Sequence, residues 1–235
     1  MTQHDLLVRV LEGAGGSPLE AVLPPSYKGK LADILFASDN IIVEVKSLTT
    51  DRAGAPATAK AVSEMLAKNH ELGAPIIFGT VPINVRDLPP PVATNAMRIL
   101  GRRVQTEARA ANRQIKATKA ALDRPDALGV IALVTPPFKL DRQSIAWAMG
   151  DAMRADQCSG IDLLFLVETP LAAPPPAKRE GNSFLSLHSR PDHSRSERAL
   201  PRELVEAINL SWGRVTGQAG RSLDADYFRA FGATS

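Results

Sequence analysis

Cysteine is almost missing from this chain of 235 residues, where Cys158 stands alone. A single thiol excludes an internal disulfide framework and a zinc site assembled from several cysteines. Long apolar runs are missing too: none approaches the roughly 20 residues a helix needs to span a bilayer. The opening Met1-Thr2-Gln3-His4-Asp5 lacks the cationic stretch of a secretory signal. The expectation is a cytoplasmic protein with no membrane partner. No Gly-x-x-x-x-Gly-Lys-Ser/Thr segment occurs, so nothing supports a nucleotide-driven motor. The net charge of +3 is too small for whole-chain charge to identify partners. What is present is ordinary: 44% apolar and 23% charged residues give a globular chain with ample core.

Eighteen prolines punctuate that chain, several in runs such as Pro89-Pro90-Pro91 and Pro174-Pro175-Pro176, and such runs end helices and central strands. Between them the periodicities predict a helix over 2–12 capped by Thr2, a glycine-rich turn over 13–17, and strands over 19–23, 31–37 and 41–47. A helix follows over 58–72, stopped by Gly73, then a buried strand over 75–80. A long helix is expected over 93–122, a strand over 128–135, a helix over 142–155 and an apolar strand over 161–168. This alternation is an α/β arrangement. Residues 1–170 form the expected domain, 171–200 a Pro/Ser/Arg-rich linker or mobile loop, and 201–235 a terminal helix with an aromatic tail at Tyr227, Phe228 and Phe231.

The informative chemistry sits in the second and third strands. Along 41–47 side chains alternate, so Ile41, Val43 and Val45 point one way and Glu44 and Lys46 the other. An acid and a lysine in an apolar strand cost burial energy unless they are paired or bind something. A hairpin closed over Asp39-Asn40 sets Asp33 across from Lys46 and diagonal to Glu44, on the same face. Two carboxylates so placed can share one hard divalent cation with a backbone carbonyl. A neighbouring lysine can orient water and steady phosphoryl charge. The plainer alternative is a cross-strand salt bridge between Asp33 and Lys46.

The sequence Ala32-Asp33 followed by Glu44-Val45-Lys46 resembles the PD-(D/E)XK nuclease superfamily. The resemblance covers about the first 80 residues, with alanine in place of the proline before the aspartate. It implies a restriction-endonuclease-like core: a helix, three antiparallel strands, a crossover helix and further strands. It also implies a Mg2+ ion, or Mn2+ in its place, held by Asp33, Glu44 and the carbonyl of Val45, with Lys46 acting on the attacking water. Many members add an acid from the first helix, which places Asp5 among the expected catalytic residues ahead of Glu12 and Glu20. The implied activity is a Mg2+-dependent endodeoxyribonuclease, possible as a homodimer because two strands favour paired sites. The alternative is a non-catalytic nucleic-acid-binding or assembly subunit with a vestigial nuclease fold.

Turned at about 100° per residue, Arg98, Arg102, Arg109, Arg113 and Lys116 of the expected long helix fall in one sector of some 60°. Such a ridge is expected to meet successive phosphates of DNA. A second basic stretch runs through Lys178-Arg179 and from Arg190. His188, Asp192 and His193 match no common ligand spacing, and Cys158 has no base partner in view. His4 and His70 read as isolated surface residues, and Trp147 as a packing residue.

Overall fold

The structure, a computed structural model, describes all residues except 25, 26, 28, 51, 78, 80, 138, 139, 155, 156, 173–182, 191–198, 219, 220 and 223–235. Helix α1 (Gln3–Gly13) opens on a reciprocal cap. The Asp5 N–H donates to the Thr2 hydroxyl at 3.1 Å, and the Thr2 N–H donates to the Asp5 carboxylate at 2.8 Å. Two of the free amides at the helix start are thereby satisfied. Leu6, Leu7, Val10 and Leu11 recur at helical spacing and are all buried.

Among the described residues seven strands lie side by side in chain order: β1 (Ser17–Pro18), β2 (Ile34–Phe36), β3 (Ile41–Ser47), β4 (Leu128–Thr135), β5 (Leu163–Glu168), β6 (Phe184–Ser189) and β7 (Arg221–Ser222). The first three are antiparallel, β3, β4 and β5 run parallel, and β6 turns antiparallel to β5. Helices cover both faces, so β4 and β5 are continuous apolar runs rather than alternating ones. On one face α1 and α7 (Arg202–Thr216) pack over Val43, Val45, Val130 and Phe165, with Trp212 wholly buried between them. On the other, α5 (Arg102–Ala121) and α6 (Arg142–Arg154) cover Ile42, Ile131, Leu133 and Leu164. The crossover from β3 to β4 also carries α3 (Pro56–Lys68) and α4 (Pro90–Leu100), which share a small core of Leu66, Ala74, Leu88, Val92 and Ala96.

The α/β arrangement, β3, β4, α1 and α6 agree with the sequence expectation; several elements do not. Residues 19–22 form a short helix, α2 (Leu19–Val22), in place of a strand, because Pro18 supplies a fixed φ just before its first turn. Residues 75–77 are not a strand: β4 takes the place beside β3, and Ile77 packs instead on the α3–α4 core. The expected long helix is two. It breaks at Gly101, where a Cβ would stand 2.5 Å from the Ala148 Cβ of α6; that close approach selects glycine and ends α4. The supposed linker holds β6, because it pairs antiparallel with β5 and sets Leu185 and Leu187 on the α1–α7 core. Lys178, Arg179, Asp192, His193 and the aromatic tail lie outside the described residues. No described helix is long and apolar enough to cross a membrane.

Candidate active site

The β2–β3 hairpin closes over residues 37–40, with Asn40 in the left-handed region at φ 53°, and pairs Ile34 with Val43 and Phe36 with Ile41. This register is two places from the expected one. An even shift keeps every side chain on its face, but it draws Asp33 away from Lys46 and towards Glu44 and Val45. Asp33 lies just outside the regular strand: its N–H donates to the Val43 carbonyl at 3.1 Å and its carbonyl accepts from the Leu19 N–H at 2.9 Å. Its carboxylate crosses to β3, where Oδ2 accepts from the Val45 N–H at 2.7 Å. In a strand the N–H and C=O of one residue face the same edge, so the Val45 carbonyl is directed to the Asp33 side of β3.

Glu44 is the anomaly. It is 1% exposed, and its Oε1 meets the Lys46 ammonium at 2.5 Å. Its Oε2 is buried with no hydrogen-bond partner. Burial, and next the charge of Asp33, push the Glu44 carboxyl up to about 8; the Lys46 ammonium opposes both without offsetting them. Ionised, that oxygen costs desolvation energy; protonated, the Glu44 carboxyl hydrogen-bonds Asp33, a further cause of its raised pKa. Lys46 is aimed by a second contact: its Nζ donates to Gln114 Oε1 at 2.8 Å, and the Gln114 amide donates to the Leu31 carbonyl at 2.8 Å. Thr118, one turn on, accepts from the Ala32 N–H at 2.8 Å. Helix α5 thus pins the segment that presents Asp33.

Asp33 and Gln114 line a cleft of about 850 Å³, with His4, Arg9 and Glu12 of α1 on one wall and Leu19, Glu20, Tyr27 and Lys30 across from it; Glu44 and Lys46 are not part of its lining. From α1, His4 reaches the site: its Nε2 stands 3.2 Å from Asp33 Oδ1. Asp5 lines the same cleft, but its carboxylate is held by Thr2 hydrogen bonds that lower its pKa. Its position in the helix cap explains its conformation without reference to Asp33. Glu12 and Glu20 stand on opposite walls.

The cationic ridge does not share this cleft. Arg98 belongs to α4 and is spent on a double contact with Asp151 of α6, at 3.1 Å through both Nε and a terminal nitrogen, which raises its pKa. The acid that neutralises it comes from another element, so counting acids within one helix missed it. Arg102, Arg109, Arg113 and Lys116 are exposed on α5. Arg109 donates to Gln157 at 2.9 Å and Lys116 lies against Gly160. They point to the 157–160 turn, whereas Gln114 and Thr118 point to Leu31 and Ala32. At about 100° per residue the ridge begins some 100° around the helix from Gln114.

Sequence reasoning therefore brought together Asp33, Glu44, Val45 and Lys46, and missed His4 and Gln114. Polar Gln114 and Thr118 at i, i+4 on the inward flank of an amphipathic helix were a signal for the second; His4 carried none. His188 bonds Ser186 at 3.1 Å on β6, and burial lowers its pKa to about 4. Among the described residues no group of three or more His, Cys, Asp and Glu side chains is arranged to hold a metal ion. Two carboxylates with one carbonyl form the smaller oxygen set that magnesium accepts beside water and substrate. Compared with protein-family models, curated proteins and solved structures, the chain matches none.

Proposed function

We propose that this chain is a magnesium-dependent nuclease that hydrolyses phosphodiester bonds, with DNA as its substrate. One observation carries the reading: Glu44 Oε2, buried and unpartnered when ionised, beside the Lys46 ammonium and a second carboxylate, Asp33, that lines the cleft. A carboxylate in that state fits a cation, and Asp33, Glu44 and the Val45 carbonyl are the residues that would hold Mg2+ or Mn2+. The bound ion would supply Lewis acidity toward a phosphoryl oxygen. The chain's own part is positional and electrostatic. Gln114 and Glu44 fix the Lys46 ammonium, which orients the attacking water and steadies negative charge on the phosphoryl group. The Val45 N–H holds Asp33 in a single orientation.

A second reading, a nucleic-acid-binding or assembly subunit with an inert site, has one observation in its favour. Both Asp33 oxygens already have partners, His4 and the Val45 N–H. Cleavage of end-labelled DNA with Mg2+, with Mn2+ and with chelator separates the two. Metal-dependent cleavage that Lys46→Ala abolishes supports the nuclease; intact DNA in every lane supports the inert subunit.

A further inference from the structure

The walls of the cleft differ from its floor, and they bear on which polynucleotide enters. The Asp33 side chain is 24% exposed, that of Lys46 18%, and Glu44 is sealed. The reacting groups are therefore recessed, and the convex surface of an intact duplex would rest on the rims formed by Arg9 and Glu12 of α1 and by Glu20, Tyr27 and Lys30. The volume of about 850 Å³ falls in the range of sites that engulf one small ligand, about 300–1,000 Å³, enough for a short piece of one strand. Tyr27 lines the cleft with 39% of its surface exposed. Its ring lies over Gly29, where a Cβ would come within 2.5 Å of the ring, so the glycine backbone supports an aromatic platform. Arg9 on α1 and Lys30 on the facing wall are both exposed. An aromatic platform in a cleft with a cation on each wall is the arrangement that binds single strands without regard to sequence.

We infer that the cleft takes a single polynucleotide strand, with Tyr27 stacking on a base and Arg9 and Lys30 engaging the phosphates on either side. This rests on the nuclease reading and narrows it. Glu12, Glu20 and Asp33 leave the lining net acidic once Asp5 is spent on the helix cap, so strand binding requires a divalent cation as hydrolysis does. A strand entering alone also removes the reason to expect paired sites in a dimer.

The test uses the full chain and one sequence prepared as single-stranded DNA, single-stranded RNA and blunt duplex DNA. Binding is read by fluorescence anisotropy with the Lys46→Ala protein in Mg2+ and in EDTA, and cleavage with the wild type. Single strands are expected to bind at least about tenfold tighter than duplex, and Tyr27→Ala to lose about tenfold while Tyr27→Phe does not. Comparing the DNA and RNA arms identifies the sugar. Duplex bound as tightly as single strand, binding unchanged by Tyr27→Ala, or strand binding as tight in EDTA as in Mg2+ overturns the inference, whether or not the protein cuts. Mg2+-dependent, Tyr27-dependent strand binding with no cleavage in any arm sustains it and overturns the nuclease reading alone.

Discussion

Two buried charge clusters lie on the same face of the sheet, and they solve the problem of burial in opposite ways. At the β4–β5 end, Asp162 accepts from the Gly129 N–H at 2.9 Å and meets Lys119 at 3.7 Å. Nearby, buried Arg190 donates to the carbonyls of Met153 at 2.8 Å and Cys158 at 3.0 Å. Every charge there has protein partners. At the β2–β3 end Glu44 is buried as deeply, yet one of its oxygens has none. Buried charges that are fully paired hold a fold together, and breaking one pair leaves the other charge stranded. Glu44 instead is an acid buried beside a second carboxylate and driven toward its protonated form, which is why Glu44 and not Asp162 marks the candidate site.

The sharpest break in this comparison is functional. Lys46→Ala and Glu44→Gln should each lower metal-dependent cleavage by about 10²-fold or more, measured as initial rates on labelled DNA, whereas Asp162→Ala should leave the rate per folded molecule unchanged. Stability should sort the clusters in the opposite order. Asp162→Ala is expected to cost about 3–5 kcal/mol in urea unfolding because the buried pair with Lys119 and the bond to the Gly129 N–H are both broken.

The sign of the Glu44 effect depends on pH. Its carboxyl titrates at about 8 when folded against 4.5 for the ordinary side chain, so the folded chain keeps a proton that the unfolded chain releases between those values. That contribution is intact below 4.5 and is lost as pH rises through 8. In EDTA, Glu44→Gln should therefore melt with the wild type at pH 4.5 and above it at pH 8. The gain is about 2–4 °C for each kcal/mol recovered. A Gln variant that melts lower at pH 8 would contradict the view of Glu44 as an unsatisfied acid. Smallest of all should be the ridge. Arg102→Gln with Arg113→Gln turns no side chain of the cleft and should change KM for a short oligonucleotide by less than about threefold, its effect being confined to salt-dependent contact with longer DNA.

How much of this was legible in the residues follows from what sets each feature. Val43 to Lys46 alternate apolar and charged, which fixes one register parity, so β3 and the shared side of Asp33, Glu44 and Lys46 could be read directly. The two-place slip could not, because it is fixed by the 37–40 loop and by Asn40 adopting a positive φ, which propensity does not choose among even loops. The unbroken helix was misread for a tertiary reason: Gly101 is harmless in a helical pattern until α6 arrives against it. The β6 strand hid in a Pro- and Ser-rich stretch because six residues can be strand whatever surrounds them, provided an edge such as β5 is open. His4 had no local signature; only the packing of α1 beside β3 brings it to Asp33.

The central claim is that Asp33 and Glu44 together hold a divalent cation. Calorimetric titration of Mg2+ into the wild type, Asp33→Ala and Glu44→Gln at pH 8 tests it most directly. One saturable site in the wild type, absent from both variants, is the predicted result. Identical heats in all three proteins would contradict it.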